Sequence, residues 1–276
     1  MTSDYRDLDR PPLSGGAVAR AVVRPGSLWT EVRVVPQTAS SNVDVIAAAD
    51  GGQAEGLVVV AELQTGGKGR QGRTWVSPRQ SGVTFSVLLR PTTARSSWGW
   101  VPLLAGTSVA HTLGRVAEVD AVLKWPNDVL VGPARHKVAG LLAEVSGDAL
   151  VLGVGLNVST RRDELPRDDA TSLLLAGATC TDRTTLLVAV LRALAQDYRG
   201  WLAGADARPA YLAASATIGR PVRISLPAGR ELVGEAVDVD DLGRLVVVDG
   251  AGVRTAVAAG DVTHAASQPV MRSPAE

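Results

Sequence analysis

The segment Gln64-Thr65-Gly66-Gly67-Lys68-Gly69-Arg70-Gln71-Gly72-Arg73 brings four glycines and three cations together within ten residues. Glycine lets backbone approach a ligand closely and turn its amides inward, and the cations offset negative charge. This composition suits the holding of an anion, phosphate above all. The plain alternative is a mobile, solvated basic turn. The Gly-x-x-x-x-Gly-Lys-Ser/Thr spacing of a P-loop is absent, and the segment does not open a helix.

Three further stretches carry groups of a suitable type. Lys124-Trp125-Pro126-Asn127-Asp128 gathers a cation, an indole, a rigid turn, an amide and a carboxylate at a strand end. Asn127 donates and accepts at once, which suits a purine edge. Trp75 and Trp125 each offer a flat face to a ring or fill the core; stacking is expected of Trp75 and core filling of Trp125. Asp128 is a candidate magnesium ligand, with a structural hydrogen bond to its own loop as the alternative. In Lys137-Val138-Ala139-Gly140-Leu141-Leu142-Ala143-Glu144, Lys137 starts a strand and Gly140 would let a planar ligand lie on the backbone. A lysine there suits a phosphate or carboxylate oxygen, or simply faces water. Gly153-Val154-Gly155-Leu156-Asn157-Val158 alternates glycine within an apolar strand, which implies close approach from outside.

These residues need elements to position them. Strands are expected at Thr30–Val35, Leu57–Glu62 and Val83–Leu89. A helix over Val43–Ala49, capped by Ser40 or Ser41, stops at Asp50-Gly51-Gly52. Trp98–Val119 has helical periodicity, with Pro102 tolerated only in the first turn. Ala121–Trp125 and Val129–Val131 read as short strands about a turn. Lys137–Val145 and Ala149–Val158 form a hairpin through Ser146-Gly147-Asp148. A long helix follows an Asp182 or Thr184 cap, with Leu187, Val190, Leu191, Leu194, Tyr198 and Trp201 on its core face. After Thr217 the chain turns to short, evenly spaced strands with glycine turns, one of them Pro-Ala-Gly-Arg, the signature of a small barrel or sandwich.

The chain has 276 residues, 46% hydrophobic and 20% charged, with zero formal net charge. That is ordinary for a globular protein and provides no global basic field for nucleic acid. One cysteine, Cys180, excludes an intrachain disulfide and is expected as a small apolar residue. The three histidines lack metal-site spacing, and no hydrolase elbow or zinc-protease helix motif occurs. No stretch is apolar enough to span a bilayer and no signal peptide is evident, so a cytoplasmic location is expected.

The motifs Gln64 to Trp75, Lys124 to Leu130, Lys137 to Glu144 and Gly153 to Val158 occur in the order and spacing of the biotin protein ligases, which the chain resembles over roughly residues 30 to 265. The resemblance implies an α+β fold: a class II aminoacyl-tRNA synthetase-like catalytic domain with a small C-terminal SH3-like β-barrel. The resemblance sets a catalytic domain at 29–217 and a barrel at 218–266, beside a tail 267–276 expected to be disordered and a segment 1–28, rich in proline, glycine and arginine, expected to be flexible with a short packed stretch. It also implies ATP, biotin and Mg²⁺, with biotinyl-5′-AMP formed first and then transferred to a lysine of a biotin carboxyl carrier domain of an acyl-CoA carboxylase. By the resemblance, Ser40, Ser41, Asn42, Gln64, Lys68, Gly69, Arg70, Lys137, Gly140 and Leu142 hold biotin. Arg70, Arg73, Trp75, Asn127, Lys137 and Asn157 hold the nucleotide, with Asp128 kept as the candidate metal ligand named above from its residue type. Arg70 and Lys137, supported by Lys68, are the expected catalytic cations, because two anions must meet and charge develops at phosphorus.

Two positions depart from the family pattern. Gly67-Lys68-Gly69-Arg70 stands where Gly-Arg-Gly-Arg is usual, which loses a guanidinium fork. Ser40-Ser41-Asn42 replaces Ser-Thr-Asn and keeps the hydroxyl. The residues before the first strand are too few for a winged helix-turn-helix, so a ligase without operator binding or other DNA contact is expected, as a monomer or weak homodimer. A lipoate or octanoate ligase or transferase of related fold is the second enzyme reading, and a biotin or biotinyl-AMP sensor the non-enzymatic one.

Overall fold

The computed structural model describes residues 10–226 and 230–264. The elements run α1 (Gly15–Val22), β1 (Glu31–Val35), α2 (Ser41–Asp50), β2 (Leu57–Ala61), β3 (Gly82–Leu89), α3 (Trp100–Val116), β4 (Ala121–Lys124), β5 (Asp128–Val131), β6 (His136–Ser146) and β7 (Ala149–Asn157). They continue with α4 (Arg183–Leu202), α5 (Arg208–Ala214), β8 (Arg220–Ser225), β9 (Glu231–Val239), β10 (Leu245–Val248), β11 (Arg254–Val257) and β12 (Asp261–His264). The first seven strands make one sheet in the order β1-β2-β3-β7-β6-β5-β4. Only β1 and β2 are parallel, joined through α2.

Period-2 alternation sorts the sheet's side chains between two layers. Val58 and Val60, Phe85 and Val87, and Leu152 and Val154 face the main core under α1, α3 and α4. Leu57, Val59, Leu88 and Val151 face the other way, against Val45 and Ala49 of α2. α2 has ten residues, so it covers only part of that second face. Beyond Val151, the same face continues with Gly153 and Gly155, paired with Ser86 and Thr84 of β3 and with Leu142 and Gly140 of β6. Apart from Leu142, the open row is therefore built from small residues.

Helix starts follow local chemistry in part. Asp182 caps α4, its Oδ1 accepting the Thr185 N–H at 2.6 Å. At α2, Ser40 occupies the N-cap position without a side-chain capping bond. The Ser41 N–H goes instead to Gln64 Oε1 at 2.7 Å, because the chain after β2 runs beside Thr38.

The expectation of a flexible segment over 1–28 is corrected for residues 10–28. Leu13, Val18, Val22, Leu28 and Trp29 are buried in the main core. Carbonyls of Pro11, Ala21 and Gly26 accept from Arg183, Arg192 and Arg199 of α4. Those partners lie more than 160 residues away in sequence, so the polar composition of the segment gave no sign of them. Residues 1–9, the Pro-Ala-Gly stretch of the last expected turn and the tail 267–276 lie outside the described residues.

Strands β8 to β12 form a second, antiparallel sheet in the order β11-β10-β9-β8-β12. It is fastened to the first domain. Thr217 Oγ1 accepts the Trp125 N–H at 3.0 Å, Ala216 N–H donates to Leu123 O at 2.7 Å, and the Gly99 and Gly243 backbones are in close contact. Trp125 is buried, as a core residue at this junction. No helix among the described residues is long and apolar enough to cross a membrane.

Glu62, at the end of β2, and Arg183 form an ion pair at 2.5 Å with side chains 6% and 7% exposed. Glu62 Oε1 also accepts the Leu13 N–H at 2.5 Å, so the pair ties the N-terminal segment, the sheet and α4 together. Removing one partner of such a pair leaves a buried charge uncompensated. Arg183→Met is expected to destabilise the fold by about 3–5 kcal/mol in urea unfolding. The double substitution with Glu62→Gln should recover part of that loss.

Candidate functional site

The uncovered row of small residues is the floor of a cavity of about 780 Å³. Each side chain over the floor sits where a glycine makes room. A Cβ on Gly153 would lie 2.2 Å from Asn42 Oδ1, and one on Gly155 would lie 2.3 Å from the Trp75 ring. Gly140 is flanked by Trp75 and Lys137, each 3.1 Å from where its Cβ would stand. The close approach expected at Gly140 and Gly155 is thus made by the protein's own indole, which brings its Nε1–H against the sheet without a hydrogen-bond partner.

The end of the cavity nearest α2 is a neutral polar cluster. Ser40, Ser41 and Asn42 are buried, and Gln64 joins them through Ser41. The other end is cationic. Lys137 Nζ pairs with Asp128 Oδ1 at 2.6 Å and stands 5.7 Å from the Trp75 ring centroid. Arg70 reaches Asn127 Oδ1 at 3.4 Å. Burial holds the Arg70 guanidinium below its ordinary range, with Asp128 opposing and Arg73 adding to the effect. An arginine so placed stays charged and is left poorly hydrated, ready to exchange water for an anion.

The glycine segment folds back over this end. Trp75 N–H donates to Gly67 O at 2.9 Å and Gly69 N–H to Arg73 O at 2.7 Å. Gly67 admits no side chain, since a Cβ would meet Trp75 O at 2.4 Å. Arg70–Gly72 is a single 3₁₀ turn, in keeping with a loop that opens no helix. Lys68 is exposed at its rim.

All fifteen residues singled out in the sequence line this one cavity: Ser40, Ser41, Asn42, Gln64, Lys68, Gly69, Arg70, Arg73, Trp75, Asn127, Asp128, Lys137, Gly140, Leu142 and Asn157. Two amides of the cavity are also bonded to the protein itself. Asn127 Nδ2 donates to Leu141 O and its Oδ1 receives Arg70, while Asn157 Nδ2 donates to Thr171 O at 2.9 Å. Each amide gives one N–H to a backbone carbonyl, because a turn and a strand end have carbonyls that need donors, and keeps its second N–H. Asp128 is the counter-ion of Lys137, and no group of three or more His, Cys, Asp or Glu that could hold a metal occurs among the described residues.

The sequence did not point to one wall. Arg220, Asp261, Thr263 and His264 come from β8 and β12 of the second sheet. Asp261 pairs with Arg73 and so ties the glycine loop to that sheet. No local pattern marks such residues, since only the docking of the two sheets brings them here. Arg167 and Asp169 also line the cavity, and the Arg167 guanidinium holds the Asp169 carboxyl below the usual carboxylate range. Asp128, Asp169 and Asp261 each have a cation already, whereas Lys68, Arg70, Lys124 and Arg220 have no ion-pair partner among the described residues. The cavity therefore carries a positive field, suited to a polyanion.

A model of the Biotin/lipoate A/B protein ligase family matches residues 40–160, and one of the Biotin protein ligase C terminal domain matches residues 217–264. The chain is 41% identical over 265 residues to a biotin--[acetyl-CoA-carboxylase] ligase of Mycobacterium tuberculosis, covering 94% of this chain and 98% of that protein. It is 29% identical over 209 residues to a bifunctional ligase/repressor of Bacillus subtilis, of which it spans 64%. Among solved structures it is similar to the Aquifex aeolicus biotin protein ligase in complex with biotin and ATP, with a TM-score of 0.72 at 27% identity, over 85% of this chain and 98% of that one.

Two outcomes test this geometry. Gly155→Ala should destabilise the fold by about 1–3 kcal/mol, as overpacking does. The cost should shrink in a Trp75→Leu background, read by a double-mutant cycle in urea. The second concerns His264, whose Nε2 lies 3.1 Å from Thr217 Oγ1. Burial, with Lys124 and Arg220, pushes its pKa from 6.5 down to about 4. The fold thus binds this proton more weakly than the unfolded chain does, so stability is full above about pH 6.5 and falls as the pH drops toward 4. His264→Gln should flatten that part of the stability–pH profile.

Proposed function

The chain belongs to the biotin protein ligase family, and from that premise we propose that it joins biotin to a lysine of a carboxyl carrier domain by way of biotinyl-5′-AMP. The observation that carries this reading is the division of one cavity into a neutral hydrogen-bonding end and a cationic end, with a glycine and indole floor between. A cyclic urea has N–H donors and a carbonyl acceptor, which match Ser41, Asn42 and Gln64. Leu142 and Gly140 give the apolar body of the vitamin a surface, and its carboxylate then reaches toward Lys137 and Arg70.

In the first half-reaction a carboxylate oxygen of biotin attacks the α-phosphorus of ATP, and the bond to the bridging oxygen breaks to release pyrophosphate. Lys137 and Arg70 offset the repulsion of two anions and the charge that develops at phosphorus. Arg73 and Lys68 add charge from the loop, and Trp75, Asn127 and Asn157 set the walls of the adenylate site. In the second half-reaction the carrier's lysine amine attacks the mixed anhydride and AMP leaves. No nucleophile from the enzyme is needed, and holding the reactants together supplies much of the rate. The loop, closed by its own hydrogen bonds, shields the labile anhydride from water.

Mg²⁺ belongs to this reading as a companion of the ATP phosphates. Asp128 offers a single carboxylate, which fits a cation carried mainly by substrate oxygens and waters. When bound, the ion neutralises charge on the leaving pyrophosphate. A carboxyl carrier domain of an acyl-CoA carboxylase is the protein substrate proposed, in line with the name of the mycobacterial relative.

The test is exchange of labelled pyrophosphate into ATP. It should require biotin and ignore lipoate and octanoate; exchange driven by lipoate alone would replace the substrate proposed. Lys137→Ala should slow biotin-dependent exchange by ~10²-fold or more, the effect of one lost electrostatic donor. Unchanged exchange would remove Lys137 from the chemistry.

A further inference from the structure

Behind the polar end of the cavity lies a chain of hydrogen bonds with a fixed direction. It begins at Glu144 of β6, whose Oε2 accepts from Asn42 Nδ2 at 2.6 Å. Leu142 O lies on the same side of that amide, 3.4 Å from Nδ2. A carboxylate and a carbonyl are acceptors only, so the NH₂ of Asn42 must face them and its Oδ1 must face the other way. Oδ1 meets Ser86 Oγ at 2.5 Å. Ser86 has one hydroxyl hydrogen, and Asn42 Oδ1 takes it. The 2.7 Å contact between Ser86 Oγ and Ser41 Oγ is then one in which Ser41 donates. Gln64 Oε1, 3.0 Å from Ser41 Oγ, is the only other place in the cluster for that hydrogen. Either way Ser41 gives its hydrogen to the protein and turns lone pairs to the cavity. Gln64 Oε1 holds the Ser41 N–H, while Gln64 Nε2 lies beside Gly67 with its hydrogens free to donate.

We propose that Glu144 is a positioning residue that sets the direction of the Asn42–Ser86–Ser41 chain, and with it the acceptor-and-donor pattern the cavity presents to a cyclic urea. Neither Glu144 nor Ser86 lines the cavity, whereas Ser41, Asn42 and Gln64 do. Ser86 is wholly buried and Asn42 nearly so, so water does not rescue a reversed bond. The Asn42 amide packs directly on Gly153, which has no room for a side chain beneath it. A neutral amide in place of Glu144 can turn either its oxygen or its NH₂ toward Asn42, so residue 144 no longer fixes the direction.

This inference rests on the proposed biotin ligation, and the experiment separates the two. The full chain is compared with Glu144→Gln, with Ser86→Ala, which cuts the chain in its middle, and with the double variant. Biotin-dependent exchange of pyrophosphate into ATP gives KM for biotin, KM for ATP and kcat. The same assay is run with a biotin whose urea nitrogens are methylated. Either single change is expected to raise the biotin KM about tenfold, the size of one lost hydrogen bond, with the ATP KM unchanged. Preference for biotin over the methylated urea should narrow, and the double variant should be no worse than the weaker single one. Equal rises in both KM values, an unchanged preference for the N–H urea, or additive effects would overturn the role of Glu144. Absence of biotin-dependent exchange in the parent would overturn the functional reading and this inference with it; exchange in the parent with no change in the variants overturns this inference alone.

Discussion

A helix too short for its sheet creates the site. α2 seals Val151, Leu88 and Val59 beneath Val45 and Ala49, then ends. The rest of that sheet face has no helix above it, and an exposed apolar face there would be a liability. The sequence meets this with Gly153 and Gly155 in β7, Gly140 in β6, and Thr84 and Ser86 in β3. These residues lower the floor by the depth of a side chain. Asn42, Trp75 and Lys137 then reach across it without a clash. Asn42 and Trp75 would be displaced by a single methyl group on Gly153 or Gly155, so cavity shape and backbone register are one constraint.

Electrostatics complete what the shape begins. The acids of the cavity are committed, Asp128 to Lys137, Asp169 to Arg167 and Asp261 to Arg73. Several cations are left over, in a chain whose formal charge is zero. The positive field is therefore local and comes from placement rather than composition. Burial strips water from the Arg70 guanidinium, so its charge is less screened than one in bulk water. The second sheet adds to the same field and also holds the loop through Asp261, so it is a wall of the site as well as a neighbouring module.

The interior is braced where elements distant in sequence meet. Glu62 and Arg183 join three of them around one buried charge pair. Thr217 joins the sheets by accepting from Trp125 while its hydroxyl is also hydrogen-bonded to His264 Nε2. Such polar junctions contribute little net stability compared with apolar packing, but breaking one is costly. They fix the arrangement of elements around the cavity more than they add to its strength.

Much of this was written in local pattern. Apolar runs gave β2, β6 and β7 and alternation gave β3, the Ser146-Gly147-Asp148 turn gave the β6–β7 hairpin, and Asp182 gave the start of α4, because each follows from neighbours a few residues apart. The glycine loop, the Lys-Trp-Pro-Asn-Asp turn and the strand glycines identified the cavity's residues by type. Docking alone decided the remainder. It packed residues 10–28 onto α4, engaged Asn127 and Asn157 with backbone carbonyls, placed Arg220 and His264 in the wall, and set Glu144 behind Asn42. Residue types and short spacings carry propensity, turn chemistry and charge. The partner of a buried donor or acceptor is chosen by whichever group the completed packing leaves within about 3 Å, and sequence separation places no limit on which group that is.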